Sequence, residues 1–284
     1  GDTSWTQRAS PSIALYLSHG ALVRDMDLSR RDALRAGSGI LAGLSVAGCV
    51  EERVTSQRTQ VETSSVWSIS SELAEDSLTR QPFESYTEQM ESKYGDSGVW
   101  GLDAEESENF ETAYVQRLAI TRETPGDPGG TEVSLDPADV DPDAPLLVSN
   151  ACVAIYDLGD GRRRYWLWAA ADSTEGRRVR DLSVSDISLG LRLREGVLVD
   201  AADPSVDGEK ATVDLGTPPT GTFPIRDGTL RSTRITGEEG VYAVEWNGEL
   251  EGIQSVNGVC EADSPDDYRF LWDASLGYSY EETV

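Results

Sequence analysis

The sequence predicts a mainly β fold, an antiparallel β-sandwich or barrel-like domain with one or two short helices in its N-terminal part. From residue 146 onwards, short apolar segments follow one another and are separated by turn signals instead of helical patterns. Before residue 124, one segment has a clear helical period. The 38% hydrophobic content and the seven tryptophans indicate a packed core and not a disordered chain.

The predicted helix spans Pro82–Tyr94. Proline suits the first helical turn, and the glycine that follows, Gly95, suits a left-handed helix end. A shorter helix is a candidate over Ser71–Leu78. The apolar residues of the main helix recur at spacings of three and four, which is typical of one helix face. They are Phe83, Tyr86, Met90 and Tyr94.

Thr112–Thr121 is predicted to be a strand, and residues 124–145, which follow it, are rich in proline, glycine and aspartate. This segment is either a long surface loop or a boundary. As a boundary, it would separate an N-terminal part, residues 66–123, from a β-rich domain, residues 146–284.

Two predicted strands, Leu146–Tyr156 and Arg163–Ala171, flank Gly159-Asp160-Gly161. This turn sequence predicts a β-hairpin because Asp-Gly tolerates a positive φ. Both faces of the first strand are apolar, so we expect it to be covered on both sides. Asn247-Gly248 predicts a second hairpin turn. Further strands are expected over residues 179–187, 188–194, 197–199, 211–215, 229–236, 241–246, 250–256 and 268–272.

Ser29–Cys49 reads SRRDALRAGSGILAGLSVAGC. An arginine pair, Arg30 and Arg31, precedes an apolar run, Ala36–Ala47, that is shorter than the roughly 20 residues of a membrane-spanning helix. Small residues and Cys49 end the run. This order of basic, apolar and small residues before a cysteine resembles a twin-arginine export signal with a lipobox.

The resemblance implies that Cys49 is lipidated and becomes the N-terminus of a mature protein, anchored by its lipid to the outer face of the cytoplasmic membrane. The alternative is an ordinary buried helix rich in glycine and alanine. Relative to the family pattern Ser-Arg-Arg-x-Phe-Leu-Lys, Ala33 replaces the phenylalanine and Arg35 the lysine. The matching residues are Ser29, Arg30, Arg31 and Leu34.

On this interpretation, residues 1–25 are an over-extended start or a long n-region, and residues 26–48 are the signal. Residues 49–65 are polar and have no convincing period, so they are predicted to be a tether. The chain has one histidine, His19, and residues 49–284 therefore contain none.

Charge is the second unusual property of the chain. Residues 49–284 hold 19 basic and 47 acidic side chains, a net charge of −28, and only two of the cations are lysines. Such self-repulsion destabilises a compact state unless salt screens it. Acid excess with scarce lysine resembles the proteins of extreme halophiles, notably haloarchaea. The same charge disfavours binding to nucleic acid.

Beyond Cys49, the chain has two cysteines, Cys152 and Cys260. In an oxidising exterior, we expect a disulfide bond between them. The alternative is two buried thiols, because free cysteine packs as a small apolar side chain.

The sequence predicts no catalytic site, no metal site and no cofactor. Gly95-Asp96-Ser97-Gly98 resembles the nucleophile motif of trypsin-like serine proteases, but Ser97 would need a histidine base. The missing histidines also remove a plausible ligand set for zinc, copper or haem. Asp139–Asp143 has the opening spacing of a calcium loop, but Ala144 stands where the loop needs glycine. A solvated acidic loop is the preferred interpretation.

The one candidate binding surface combines Arg162, Arg163 and Arg164 with Trp166 and Trp168. Guanidinium groups pair with carboxylate or sulfate, and paired tryptophans stack on sugar rings. The alternatives are internal ion pairing for the arginines and burial in the core for the tryptophans. We expect at least one of the two tryptophans to be buried.

These observations favour a binding or scaffold module at the cell surface, whose partner is a surface protein or a glycan. An accessory subunit of a membrane-bound complex fits them equally well. The alternative from another class is a carboxylate-dependent hydrolase acting on surface glycans, because such an enzyme needs only two carboxyl groups.

Overall fold

The computed structural model describes residues 56–72, 77–95, 109–121, 131–134, 145–173, 182–216, 218–264 and 268–283. All of them belong to one compact unit, Arg53–Val284. The predicted export signal and Cys49 lie outside the described residues, as do Ser97 and Asp139–Asp143.

Three antiparallel sheets, with strands numbered in chain order, make up most of the described fold. The five-stranded sheet has the order β1 (Ser56–Ser70), β15 (Arg269–Thr283), β6 (Ser183–Leu193), β13 (Val241–Leu250) and β11 (Gly228–Ile235). The seven-stranded sheet has the order β12 (Gly237–Glu238), β7 (Val197–Ala201), β14 (Ile253–Asp263), β5 (Arg162–Asp172), β4 (Pro145–Gly159), β2 (Phe110–Thr121) and β3 (Thr131–Ser134). The small sheet contains β10 (Gly221–Pro224), β9 (Lys210–Val213) and β8 (Ser205–Asp207).

The five- and seven-stranded sheets pack face to face, as the β-sandwich prediction requires, and they do not close into a barrel. Their shared core joins side chains such as Leu189 and Trp272 of the first sheet to Val153 and Leu167 of the second. The other face of the seven-stranded sheet is buried beneath the helix α1 (Arg80–Tyr94) and the small sheet. Strand β4 is therefore covered on both sides, which confirms the inference from its two apolar faces.

Helix α1 forms where the apolar stripe predicts it. Phe83, Tyr86, Met90 and Tyr94 are all buried, and each packs in the cluster on the seven-stranded sheet. The expected left-handed end is wrong, because Gly95 keeps right-handed helical angles (φ −61°, ψ −45°) and its N–H donates to the carbonyl of Glu91.

The described part of Ser71–Leu78 does not form the shorter helix predicted there. Ser71 and Glu72 make a 3₁₀ turn, and Leu78 forms an isolated β-bridge with Ala113. Residues 73–76 lie outside the described ranges.

The hairpin predicted at Gly159-Asp160-Gly161 is confirmed. It joins β4 to β5, and the three residues have φ angles of 82°, 54° and 75°. The hairpin turn predicted at Asn247-Gly248 is wrong, because both residues lie within β13, opposite Thr229 and Gly228. Glycine is needed at 248 because a Cβ there would collide with the Trp246 ring and the backbone of Asp227.

Part of the predicted tether is also wrong, because residues 56–65 belong to β1 and pair with β15 over their whole length. A strand at the edge of a sheet is held by backbone hydrogen bonds along one side, so it does not need an apolar period. Residues 124–145, predicted to be a loop or a boundary, contain β3 and the first residue of β4. Strands β2 and β4, on either side of β3 in the chain, are neighbours in the seven-stranded sheet.

Candidate functional site

The candidate surface predicted around Arg162–Arg164 lies on β5, in the middle of the seven-stranded sheet. Side chains alternate along this strand, so Tyr165 and Leu167 enter the core between the two large sheets. Trp166 and Trp168 enter the opposite cluster, under α1 and the small sheet.

Both tryptophans are 0% exposed, and the ring of Tyr94 from α1 lies 5.7 Å from that of Trp168. The prediction that at least one of them is buried is confirmed. A sugar-stacking surface made by these two indoles is therefore excluded.

Arg164 forms a buried ion pair with Glu261, the residue directly opposite it on β14. Their side chains are 4% and 12% exposed. The Arg164 Nε donates to Glu261 Oε1 at 2.9 Å, and Nη1 donates to the carbonyl of Pro218 at 2.9 Å. These contacts offset the cost of burying the Arg164 charge, which would be high without a partner.

Arg163 projects from the other face of β5 and pairs with Glu111 of β2, with 2.8 Å between Nε and Oε2. Its Nη1 donates to the carbonyl of Ser264 at 3.1 Å, and its guanidinium lies 5.3 Å from the ring centre of Tyr268. Burial by itself would lower the pKa of Arg163, but the hydrogen bond and the charge of Glu111 outweigh it and raise the pKa above its ordinary value. The group stays a cation.

Arg162 is the exposed member of the three. Its Nε lies 3.4 Å from Asp263 Oδ1, and its Nη1 lies 4.0 Å from Glu261 Oε2. All three arginines are thus paired with acidic side chains, so internal ion pairing is the interpretation that the structure supports. The combined Arg and Trp contact surface is not formed.

The predicted disulfide bond is wrong, because Cys152 and Cys260 are both free and buried. Cys152 on β4 packs in the cluster beneath α1, whereas Cys260 on β14 packs in the core between the large sheets. Strand β5 lies between β4 and β14, which separates the two backbones by about 10 Å. A disulfide needs Cα atoms within about 7 Å. Burial raises the pKa of both thiols.

The outer face of the five-stranded sheet carries acidic side chains that the sequence analysis did not single out. Asp273 and Asp186 lie against Gly190 and Gly277, where a Cβ would collide with their carboxyl groups. Between them, the hydroxyl groups of Ser188 and Ser275 are hydrogen-bonded at 2.6 Å. Burial raises the pKa of Asp273, and the nearby charge of Arg192 opposes that shift.

The two acids of this face are spaced more widely along the strands than the carboxyl pair of a glycosidase. Along β15, Asp273 is four residues from Gly277, the residue that pairs with Asp186, which places the two backbones about 13 Å apart along the strands. Glycosidases hold their two carboxyl groups roughly 5 to 10 Å apart. Within the described ranges, no three histidine, cysteine or acidic side chains come together to hold a metal ion.

Asn257 on β14 is a buried polar residue that is not among the predicted site residues. It is fully buried, and neither Oδ1 nor Nδ2 has a hydrogen-bond partner among the described residues. Gly221 of β10 packs so closely on it that a Cβ would lie 2.9 Å from Oδ1. No sequence signal marks this position, since a lone asparagine in a strand is ordinarily read as exposed.

Neither a protein-family model nor a curated protein sequence matches this chain. Among the helical residues that the structure describes, none forms a segment long and apolar enough to cross a bilayer.

Proposed function

We propose that this chain is an exported lipoprotein, held on the outer face of the cytoplasmic membrane by a lipid on Cys49. The observation that carries the proposal is the order of an arginine pair, a short apolar run, small residues and a cysteine within Ser29–Cys49. A β-rich unit begins shortly after that cysteine, with β1 starting at Ser56.

The folded part is proposed to act as a binding or scaffold module for a surface protein or a glycan. This proposal is supported by the architecture. Two large sheets with a third layer on one face form a rigid scaffold, and binding residues commonly lie on the surface loops of such scaffolds. The arginines and tryptophans of β5 are not part of this proposal, because the arginines are paired with acidic side chains and both tryptophans are buried.

The anchor is tested by fractionating cells that express the wild type or Cys49→Ser. We expect the wild type in the membrane fraction, carrying a lipid detectable by mass spectrometry. The variant should reach the medium or stay unprocessed. Cys260→Ala is the matched control, because it removes a buried thiol and leaves the lipobox intact. A Cys49→Ser protein that fractionates and migrates like the wild type would show that the anchor assignment is wrong.

The export route is tested separately by replacing Arg30 and Arg31 with lysine. This change keeps both charges and removes the guanidinium groups. The proposal expects the double variant to accumulate inside the cell, unprocessed. Normal export of this variant would instead indicate the general secretory route.

A further inference from the structure

We propose that the sandwich is held at the membrane by one particular end, with the opposite end displayed outwards; this inference rests on the lipid anchor proposed above. The membrane-proximal end, called the Ser56 end, is where β1 begins and where β13 turns into β14 at Glu251 and Gly252. The opposite end, called the Gly161 end, carries the turn between β4 and β5.

Strand register places these features at the two ends. Ser56 pairs with Thr283, the last residue of β15, and β6 and β13 continue the same sheet with Val184 opposite Leu250. The two-residue turn after Leu250 leads directly to Ile253, which pairs with Asp172 at the end of β5. The other end of β5, Arg162, pairs with Asp263.

Chain length limits how far the Ser56 end can be from the lipid. Six residues, 50–55, separate Cys49 from Ser56, so even a fully extended chain spans only about 25 Å. Strand β1 has 15 residues and is itself about 50 Å long. The domain is therefore tethered by a segment much shorter than its own length.

Nothing on the described surface favours laying the domain flat on lipid. The large apolar side chains that are most exposed, Val66, Val206 and Ile235, lie on three separate strands, which does not make the apolar face of an interfacial element. Three exposed arginines are paired with acids: Arg162 with Asp263, Arg234 with Asp200 and Asp203, and Arg269 with Glu72 and Glu195. The attached lipid is thus the attractive contact, and the excess of acidic side chains opposes a second one on anionic lipid.

The orientation is tested with two variants of the full lipidated protein, each with one introduced cysteine. Glu251→Cys marks the Ser56 end and Arg194→Cys marks the Gly161 end; both residues are exposed and outside the strands. The strands between them separate the two labels by about 33 Å. Cys152 and Cys260 are buried, so a maleimide dye labels the introduced thiol in the folded protein.

The labelled proteins are reconstituted in vesicles of phosphatidylcholine and phosphatidylglycerol that contain an acceptor dye on the headgroups. We expect energy transfer at least twofold higher from position 251 than from position 194. Equal transfer, or more from position 194, would overturn the orientation while leaving the anchor in place. Protein that does not float with the vesicles would instead refute the lipid anchor, and Cys49→Ser gives the signal of unattached protein for comparison.

Discussion

Arg164 and Glu261 face each other across β5 and β14, and the carbonyl of Pro218 accepts a second hydrogen bond from the same guanidinium. The pair lies in the interior of the fold, with side chains 4% and 12% exposed. A buried pair of this kind is costly to break from one side, because the remaining charge is left without a partner.

Glu261→Gln is therefore expected to lower the free energy of unfolding by about 3–5 kcal/mol. Asp263→Asn, which removes the acid beside the exposed Arg162, should cost less than about 1 kcal/mol. Denaturant unfolding of both variants measures the difference. If the two changes cost the same, the buried pair does not have the role that its geometry indicates. The double variant Arg164→Met with Glu261→Leu should lose less stability than Glu261→Gln.

The parts of the fold that the sequence predicts are those set by local chemistry. The apolar stripe of α1, the Gly159–Gly161 turn and the two apolar faces of β4 each require nothing beyond neighbouring residues. Strand β1 was not predicted because this polar segment is held by backbone pairing with β15, more than 200 residues away at its first pair, Ser56 and Thr283.

The prediction of the candidate binding surface was wrong for a related reason. The alternation of β5 predicts that Trp166 and Trp168 share a face, but only the packing of α1 and the small sheet decides that this face is buried. Likewise, the sequence shows that Arg163 and Arg164 are cationic but not that Glu111 and Glu261 are their neighbours, since these pairs are set by strand register.

The two buried cysteines make a direct prediction about thiol chemistry. Because Cys152 and Cys260 lie on opposite faces of the seven-stranded sheet, the folded protein should form no bond between them even under mild oxidation. Their burial also keeps them in the unreactive thiol form. Ellman's reagent should therefore titrate neither thiol in the native state and both after unfolding. Identical migration with and without reductant is expected, and a faster band without reductant would contradict the structure.

Asp273 predicts a pH dependence of stability with a defined sign. Burial raises its pKa above 3.8 in the folded state, although Arg192 opposes the shift, so the folded protein binds this proton more tightly than the unfolded chain. Protonation of Asp273 therefore stabilises the folded state. This stabilisation is full below pH 3.8, the ordinary pKa of the group, and is lost as the pH rises through the higher pKa of the folded state.

Asp273→Asn should therefore be more stable than the wild type at pH 7, and the gain should shrink as the pH falls towards 4. Urea unfolding across this range measures it. Asp207→Asn is the control, because Asp207 is exposed on β8 and should change stability by less than about 0.5 kcal/mol. A loss of stability for Asp273→Asn at pH 7 would show that its attraction to Arg192 outweighs the cost of burial.

The last prediction is that the stability of the fold depends on salt, and the buried tryptophans provide a probe of unfolding. Residues 49–284 hold 47 acidic against 19 basic side chains, and the resulting repulsion is screened as the Debye length falls from about 30 Å at 0.01 M salt to about 3 Å at 1 M. Trp166, Trp168, Trp246 and Trp272 are at most 1% exposed, so their fluorescence reports opening of the core. The midpoint of thermal unfolding should rise steeply between these two KCl concentrations. Sucrose serves as the uncharged control, because it strengthens apolar burial without screening charge. A midpoint that KCl leaves unchanged would show that the acidic surface imposes no need for salt.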